Sequence, residues 1–182
     1  FLQKVLTGFE IVPVVIGDCS LESCKKIALL FKEAIGQRKD ILLLVSSDLY
    51  HGYDFKEADI VDELTLDLVK KMDYQGLYYA LRDGNAQACG GFSIVIALNI
   101  AKELGYQRLE VLKHTNSAMV TGKLVKGEWT VGYASCAVSG QAALVGKGEN
   151  MLTTQQKQRL LEIARESITT YLQTGKKLSV NE

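Results

Sequence analysis

The stretch Asp40-Ile41-Leu42-Leu43-Leu44-Val45-Ser46-Ser47-Asp48-Leu49-Tyr50-His51 decides how the rest of the chain is read. Its apolar run, Ile41 to Val45, has the pattern of a strand buried on both faces. A parallel strand covered by helices requires that pattern. The polar residues that follow carry His51, one of only 2 histidines in the chain. In open α/β sheets, ligands bind at the carboxyl ends of such strands. An imidazole placed there can titrate near neutral pH, shuttle a proton or hold a metal.

Upstream, Phe9 to Ile16 is a second strand, rich in Val and Ile. Pro13 removes one ladder donor, which points to a sheet edge. Ser20 caps a helix running to about Ile35, with Cys24, Ile27, Ala28, Phe31, Ala34 and Ile35 on one face. Gly36 stops it. Strand, helix, strand makes a βαβ unit and predicts a parallel pair. Downstream, an amphipathic helix spans about Lys56 to Met72, with Val61, Leu64, Leu68 and Met72 as its buried stripe. Tyr74 to Leu81 is a short helix. Cys89-Gly90-Gly91 opens another, apolar almost all round, which predicts deep burial. Arg108 to Thr115 and Thr130 to Val138 are strands of an antiparallel hairpin with a long connection. Gly146 to Asn150 is a polar linker. Thr153-x-x-Gln156 is a capping box opening a last helix with Leu160, Leu161, Ala164, Ile168 and Leu172 on one side.

The 182 residues are 47% hydrophobic, enough to build a core. Lys plus Arg and Asp plus Glu number 21 each. That balance argues against a nucleic-acid partner and against an acidic membrane surface. No segment reaches the roughly 18 uninterrupted apolar residues of a membrane span. The opening Phe1-Leu2-Gln3-Lys4 has neither the basic start nor the cleavage site of a signal peptide. It also lacks Met, so we expect the native start to lie upstream. Cys19, Cys24, Cys89 and Cys136 lack C-x-x-C spacing and read as free thiols of a cytoplasmic protein. Cys136 reads as a small core residue of its strand.

Two positions carry the chemistry. His51, beside Ser46, Ser47 and Asp48, reads either as a general acid/base or anion donor, or as an idle loop histidine. Asp48 either orients the imidazole or simply caps the loop. Cys89 precedes a helix, where backbone N–H groups favour a thiolate that is both nucleophile and soft ligand. The alternative is an inert thiol. A Cys89–His51 nucleophilic pair is conceivable, but the spacing neither supports nor excludes it. His114 reads as a partly exposed histidine at a strand end.

Assembled, these segments resemble the Memo family, which is similar in fold to class III extradiol dioxygenases. The motifs are Val45-Ser46-Ser47-Asp48-Leu49-Tyr50-His51, Gln87-Ala88-Cys89-Gly90, Leu112 to Thr121, and Val131-Gly132-Tyr133-Ala134. The likeness covers roughly residues 1 to 145 and looks like the carboxyl-terminal half of a Memo domain. It implies a three-layer α/β/α fold with a mixed, mainly parallel sheet. It also implies a non-haem metal site, iron or alternatively copper, with oxidoreductase chemistry. Cys89 matches the cysteine ligand and His51 an additional active-site histidine. The two histidine ligands belong to earlier motifs absent from this sequence, and Gly91-Phe92-Ser93-Ile94 lacks the family's usual proline. The alternative that the resemblance implies is a signalling or scaffold module without catalysis, which binds a phosphopeptide, an anion or another small-molecule ligand. Residues 147–182, with Leu152-Thr153, Arg159-Leu160-Leu161 and Ile163-Ala164-Arg165, resemble a linker and the opening of an AMMECR domain. The domain boundary is expected at residue 146.

Overall fold

The computed structural model describes residues 2–36, 38 and 40–140. They fall in one unit of the chain, Phe1–Ala142. The expected linker and the helix after Thr153 lie outside the described residues.

After a single turn, α1 (Leu2–Val5), the first long helix is α2 (Leu21–Ile35). Ser20 caps it by accepting from the Ser23 N–H at 3.1 Å, as the sequence predicts, and Gly36 ends it at φ 53°. Helix α3 (Phe55–Lys70) begins at Asp54, whose carboxylate accepts from Lys56 N at 2.8 Å and Glu57 N at 3.4 Å. Helix α4 (Tyr74–Arg82) begins at Asp73, which accepts from Gly76 N at 2.9 Å. Helix α5 (Gly91–Glu103) buries Val95, Ile96, Leu98, Asn99, Ile100 and Ala101. Its all-round apolar character therefore has the expected outcome. The core forms where α5 meets α2 and α4, around Cys24, Ala28, Leu77, Tyr78, Val95 and Ile100.

Of the stripe predicted for α3, Leu68 and Met72 pack against the core and Val61 is half-buried, but its most buried positions are others. Ala58, Asp62, Thr65, Leu66 and Val69 face inward, while Leu64 stays 52% exposed. Counting apolar residues misses this face because two of its central members are polar and earn burial by hydrogen bonding.

The sheet is small and antiparallel, in the order β1-β3-β2. Its strands are β1 (His51–Gly52), β2 (Arg108–Asn116) and β3 (Thr130–Ser139). The predicted hairpin is present: Arg108 faces Ser139 and Asn116 faces Gly132, with a register shift between Val111 and Lys113. The long connection holds a short helix, α6 (Ser117–Thr121), capped by Asn116 through Met119 N at 2.8 Å. Strand β1 pairs His51 with Val131 and Gly52 with Thr130.

Residues 9–16 and 41–45, predicted to be parallel strands, join no ladder among the described residues. Burial on both faces is not realised either: Val12 is 87%, Val15 96% and Leu42 68% exposed. An apolar run of this kind needs a strand at each edge and a layer on each face, and the described residues supply neither. Cys136 is likewise exposed rather than in the core. On β3 only Thr130 and Gly132 are buried, and among the described residues nothing covers the far half of the strand.

Candidate functional site

Two segments far apart in sequence are fastened together at the site. The Cys89 N–H donates to the Asp48 carbonyl at 3.1 Å, and the Asp48 N–H donates to the Cys89 sulfur at 3.1 Å. The Ser47 hydroxyl donates to the Asp48 carbonyl at 2.7 Å and accepts from Gly90 N at 2.8 Å. Gly90 is required here, since a Cβ would fall 2.9 Å from both the Ser46 carbonyl oxygen and the Ser47 Cβ. Because Ser47 is committed on both sides, an anion at this corner must displace one of these bonds.

His51 is held from backbone and ring. Its N–H donates to Gln87 Oε1 at 3.0 Å, and Gln87 N donates to Thr65 Oγ1 on α3 at 3.2 Å. The ring Nδ1 lies 3.0 Å from the Leu49 carbonyl oxygen. A carbonyl only accepts, so the proton of the neutral imidazole sits on Nδ1 and the Nε2 lone pair is available. Nε2 faces the Asp48 carboxylate, with Oδ2 at 3.7 Å. The structure thus gathers the three residues singled out from sequence, His51, Asp48 and Cys89, around one loop. Asp48 is the common neighbour, through its side chain to the imidazole and through its N–H to the sulfur.

Beside the His51 backbone opens a cleft of about 860 Å³, lined by Tyr50, His51, Tyr53, Glu57, Gln87 and Lys126 among others. Cys89 and Asp48 lie outside this lining. Tyr50 donates its hydroxyl to Glu57 Oε2 at 2.7 Å. Burial and this bond to a carboxylate both push the phenol above its ordinary value. Trp129 closes on this end of the loop, with its ring 4.9 Å from Tyr53 and 6.2 Å from His51.

Sequence reading missed the residue beneath the site. Asp62, fully buried on α3, accepts from Tyr50 N at 2.9 Å through Oδ1. Its Oδ2 lies 2.9 Å from His114 Nε2. His114 is the partly exposed histidine near a strand end that the sequence predicts, and it is also the partner of this buried carboxylate. The signal lay in helical phase: Ala58, Asp62, Leu66 and Val69 fall on one face of α3. A carboxylate on that face has to be paired.

A metal site needs three or four protein donors converging on one point. Among the described residues no three His, Cys, Asp or Glu side chains are grouped so that they could hold an ion. The sulfur of Cys89, the imidazole of His51 and the carboxylate of Asp48 are neighbours around a loop rather than a convergent set. On their own they do not fit a transition metal. No helix among the described residues is long and apolar enough to cross a membrane.

Known proteins resemble this chain over most of its length. The sequence profile described as Memo-like protein matches residues 1–137. A MEMO1 family protein of Thermotoga neapolitana is 32% identical over 139 residues, covering 76% of this chain and 48% of that protein. One from Sulfolobus acidocaldarius is 34% identical, over 67% of this chain and 43% of its own length. One from Thermoplasma volcanium is 32% identical, over 78% of this chain and 50% of its own length. The chain thus spans about half the length of the curated relatives it matches. With that profile spanning residues 1–137 and relatives more than 30% identical over two thirds or more of the chain, it belongs to the Memo-like protein family.

Proposed function

We propose that this chain supplies one wall of an oxidoreductase site that uses non-haem iron, or copper in its place. Further ligands come from parts of a Memo-like domain that the chain does not span. In this reading Cys89 is a thiolate ligand, His51 takes or gives a proton at Nε2, and Asp48 orients the imidazole and neutralises its cationic form. One observation carries the reading: Nδ1 is locked on the Leu49 carbonyl, leaving Nε2 open next to the residue whose N–H holds the Cys89 sulfur. A bound metal would supply Lewis-acid or redox character. This chain's residues would position the proton donor and fix the sulfur. The same reading makes residues 9–16 and 41–45 strands of a larger, mainly parallel three-layer sheet. Residues 147–182 then begin an AMMECR-like domain of a cytoplasmic fusion protein.

The test is metal content of the full-length protein purified from cells. Cys89→Ala should lower bound iron or copper by roughly tenfold or more, whereas Cys136→Ala leaves it unchanged. Equal metal content in the wild type and Cys89→Ala would sink the ligand assignment.

A further inference from the structure

A second pair of cysteines lies away from this site, at the start of α2. Ser20 is the helix cap, so Cys19 is the residue just before it and Cys24 the fourth residue inside. Side chains at these two positions pack on each other across many helix starts, normally as a pair of aliphatic groups. Here both are cysteines, and their sulfurs are 3.1 Å apart. Cys24 is fully buried, while Cys19 is partly exposed. The backbone around them is pinned from α4: Arg82 Nη2 donates to the Cys19 carbonyl at 2.8 Å and to Asp18 Oδ1 at 2.5 Å. Tyr78 adds a hydroxyl to the same carbonyl at 3.4 Å.

We infer that Cys19 and Cys24 form a redox-modification site, a dithiol that low-molecular-weight disulfides convert reversibly into an intramolecular disulfide. Bringing the sulfurs to bonding distance closes the gap by about 1 Å, within reach of side-chain rotation. Accessibility sets the order of events. Cys19 reacts first: its thiolate attacks one sulfur of the external disulfide and a thiol leaves, carrying the proton that Cys19 gave up. Cys24 then attacks the Cys19 sulfur in the mixed disulfide, and its proton departs with the second thiol. Two protein thiols are oxidised to one disulfide, and one external disulfide is reduced to two thiols.

The environment of Cys24 supports this division of labour. Burial, then the contact with Cys19, pushes its thiol up to about 12, so it stays protonated and unreactive toward solvent. The nearby Arg82 charge acts in the other direction, favouring the thiolate when it must form.

The full chain, equilibrated in glutathione mixtures of rising oxidising strength, is quenched with iodoacetamide in guanidinium and mapped by mass spectrometry. The peptide holding both cysteines should escape alkylation and appear about 2 Da below its free-dithiol mass before Cys136 is modified, and dithiothreitol before the quench should restore double alkylation. Cys24→Ala should stop at a glutathione adduct on Cys19, and Cys19→Ala should leave Cys24 reduced under the same conditions. The wild-type map decides even if a variant fails to fold. Both cysteines alkylated at every oxidising strength, or either one joined to Cys89 or Cys136, overturns the inference.

Discussion

Asp62 occupies a position on α3 where a helix facing a core ordinarily places an aliphatic side chain. It is fully buried, and it ties together the segment entering β1 through Tyr50 N and the end of β2 through His114. The third party is Gly132 on β3, whose missing Cβ is the space the carboxylate fills. Two substitutions should therefore interact. Gly132→Ala alone should destabilise the protein by about 2 kcal/mol or more by driving a methyl into the carboxylate. Asp62→Ala alone should cost about 2–4 kcal/mol, since it leaves a buried N–H and an imidazole without their acceptor. In the double variant the methyl enters vacated space, so urea unfolding should show a combined cost at least about 1 kcal/mol below the sum. Simple additivity would mean that the glycine is there for another reason. This hub was legible only in part. The apolar positions of α3 placed Leu68 and Met72 correctly but put Leu64 inside, and they passed over Asp62 and Thr65, which are buried through hydrogen bonds.

Helices and the hairpin were readable because their signals are local. Ser20, Asp54 and Asp73 cap three helices through side-chain oxygens, and the β2–β3 pairing follows from two strand-like runs with the turn signals Thr121-Gly122 and Lys126-Gly127 between them. One helix end breaks the usual rule. After Lys71, the C-cap of α3, Met72 adopts φ 52°, the left-handed conformation that glycine normally supplies. Its N–H donates to the Val69 carbonyl at 2.9 Å, and Asp73 N donates to the Leu68 carbonyl at 3.0 Å. These two bonds close the helix, and the Met72 side chain packs against the core. Strain and packing here oppose each other and can be separated. Met72→Ala loses packing and keeps the strain, whereas Met72→Gly loses the same packing and relieves it. Thermal or urea unfolding should find the glycine variant more stable than the alanine variant by about 1 kcal/mol. The opposite order would remove backbone strain from the account of this turn.

At the scale of the molecule, the least legible feature was the partner of each apolar strand. A run such as Ile41–Val45 announces that it will be covered but not by what, because the covering groups are distant in sequence. Among the described residues that cover is lacking, and Val12, Val15, Leu42 and Leu44 remain exposed. Exposed apolar side chains bind hydrophobic probes, and where they adjoin they drive association. The chain should therefore enhance anilinonaphthalene sulfonate fluorescence in its native state. Replacing Val12, Val15 and Leu42 together by threonine should reduce that signal by roughly twofold or more, with little change in the thermal midpoint. An unchanged signal would place the exposed surface elsewhere.

The clasp between Asp48 and Cys89 carries a consequence for how the protein tolerates change. The sulfur and the N–H that meet there are 41 residues apart, and α3 and α4 hang between them as a loop closed at both ends. Closing such a loop costs entropy that rises only with the logarithm of its length. Extra residues placed at the exposed Asp83-Gly84 turn after α4, rather than in the hydrogen-bonded turn at Met72, would then lengthen the loop at little cost and leave the closure where it is. The neighbourhood of His51 and Cys89 is in this sense indifferent to length between its two halves, though not to the glycine at 90 that lets them touch. Changes of length can be accommodated at the turn that follows α4, while the knot at its base stays the same size.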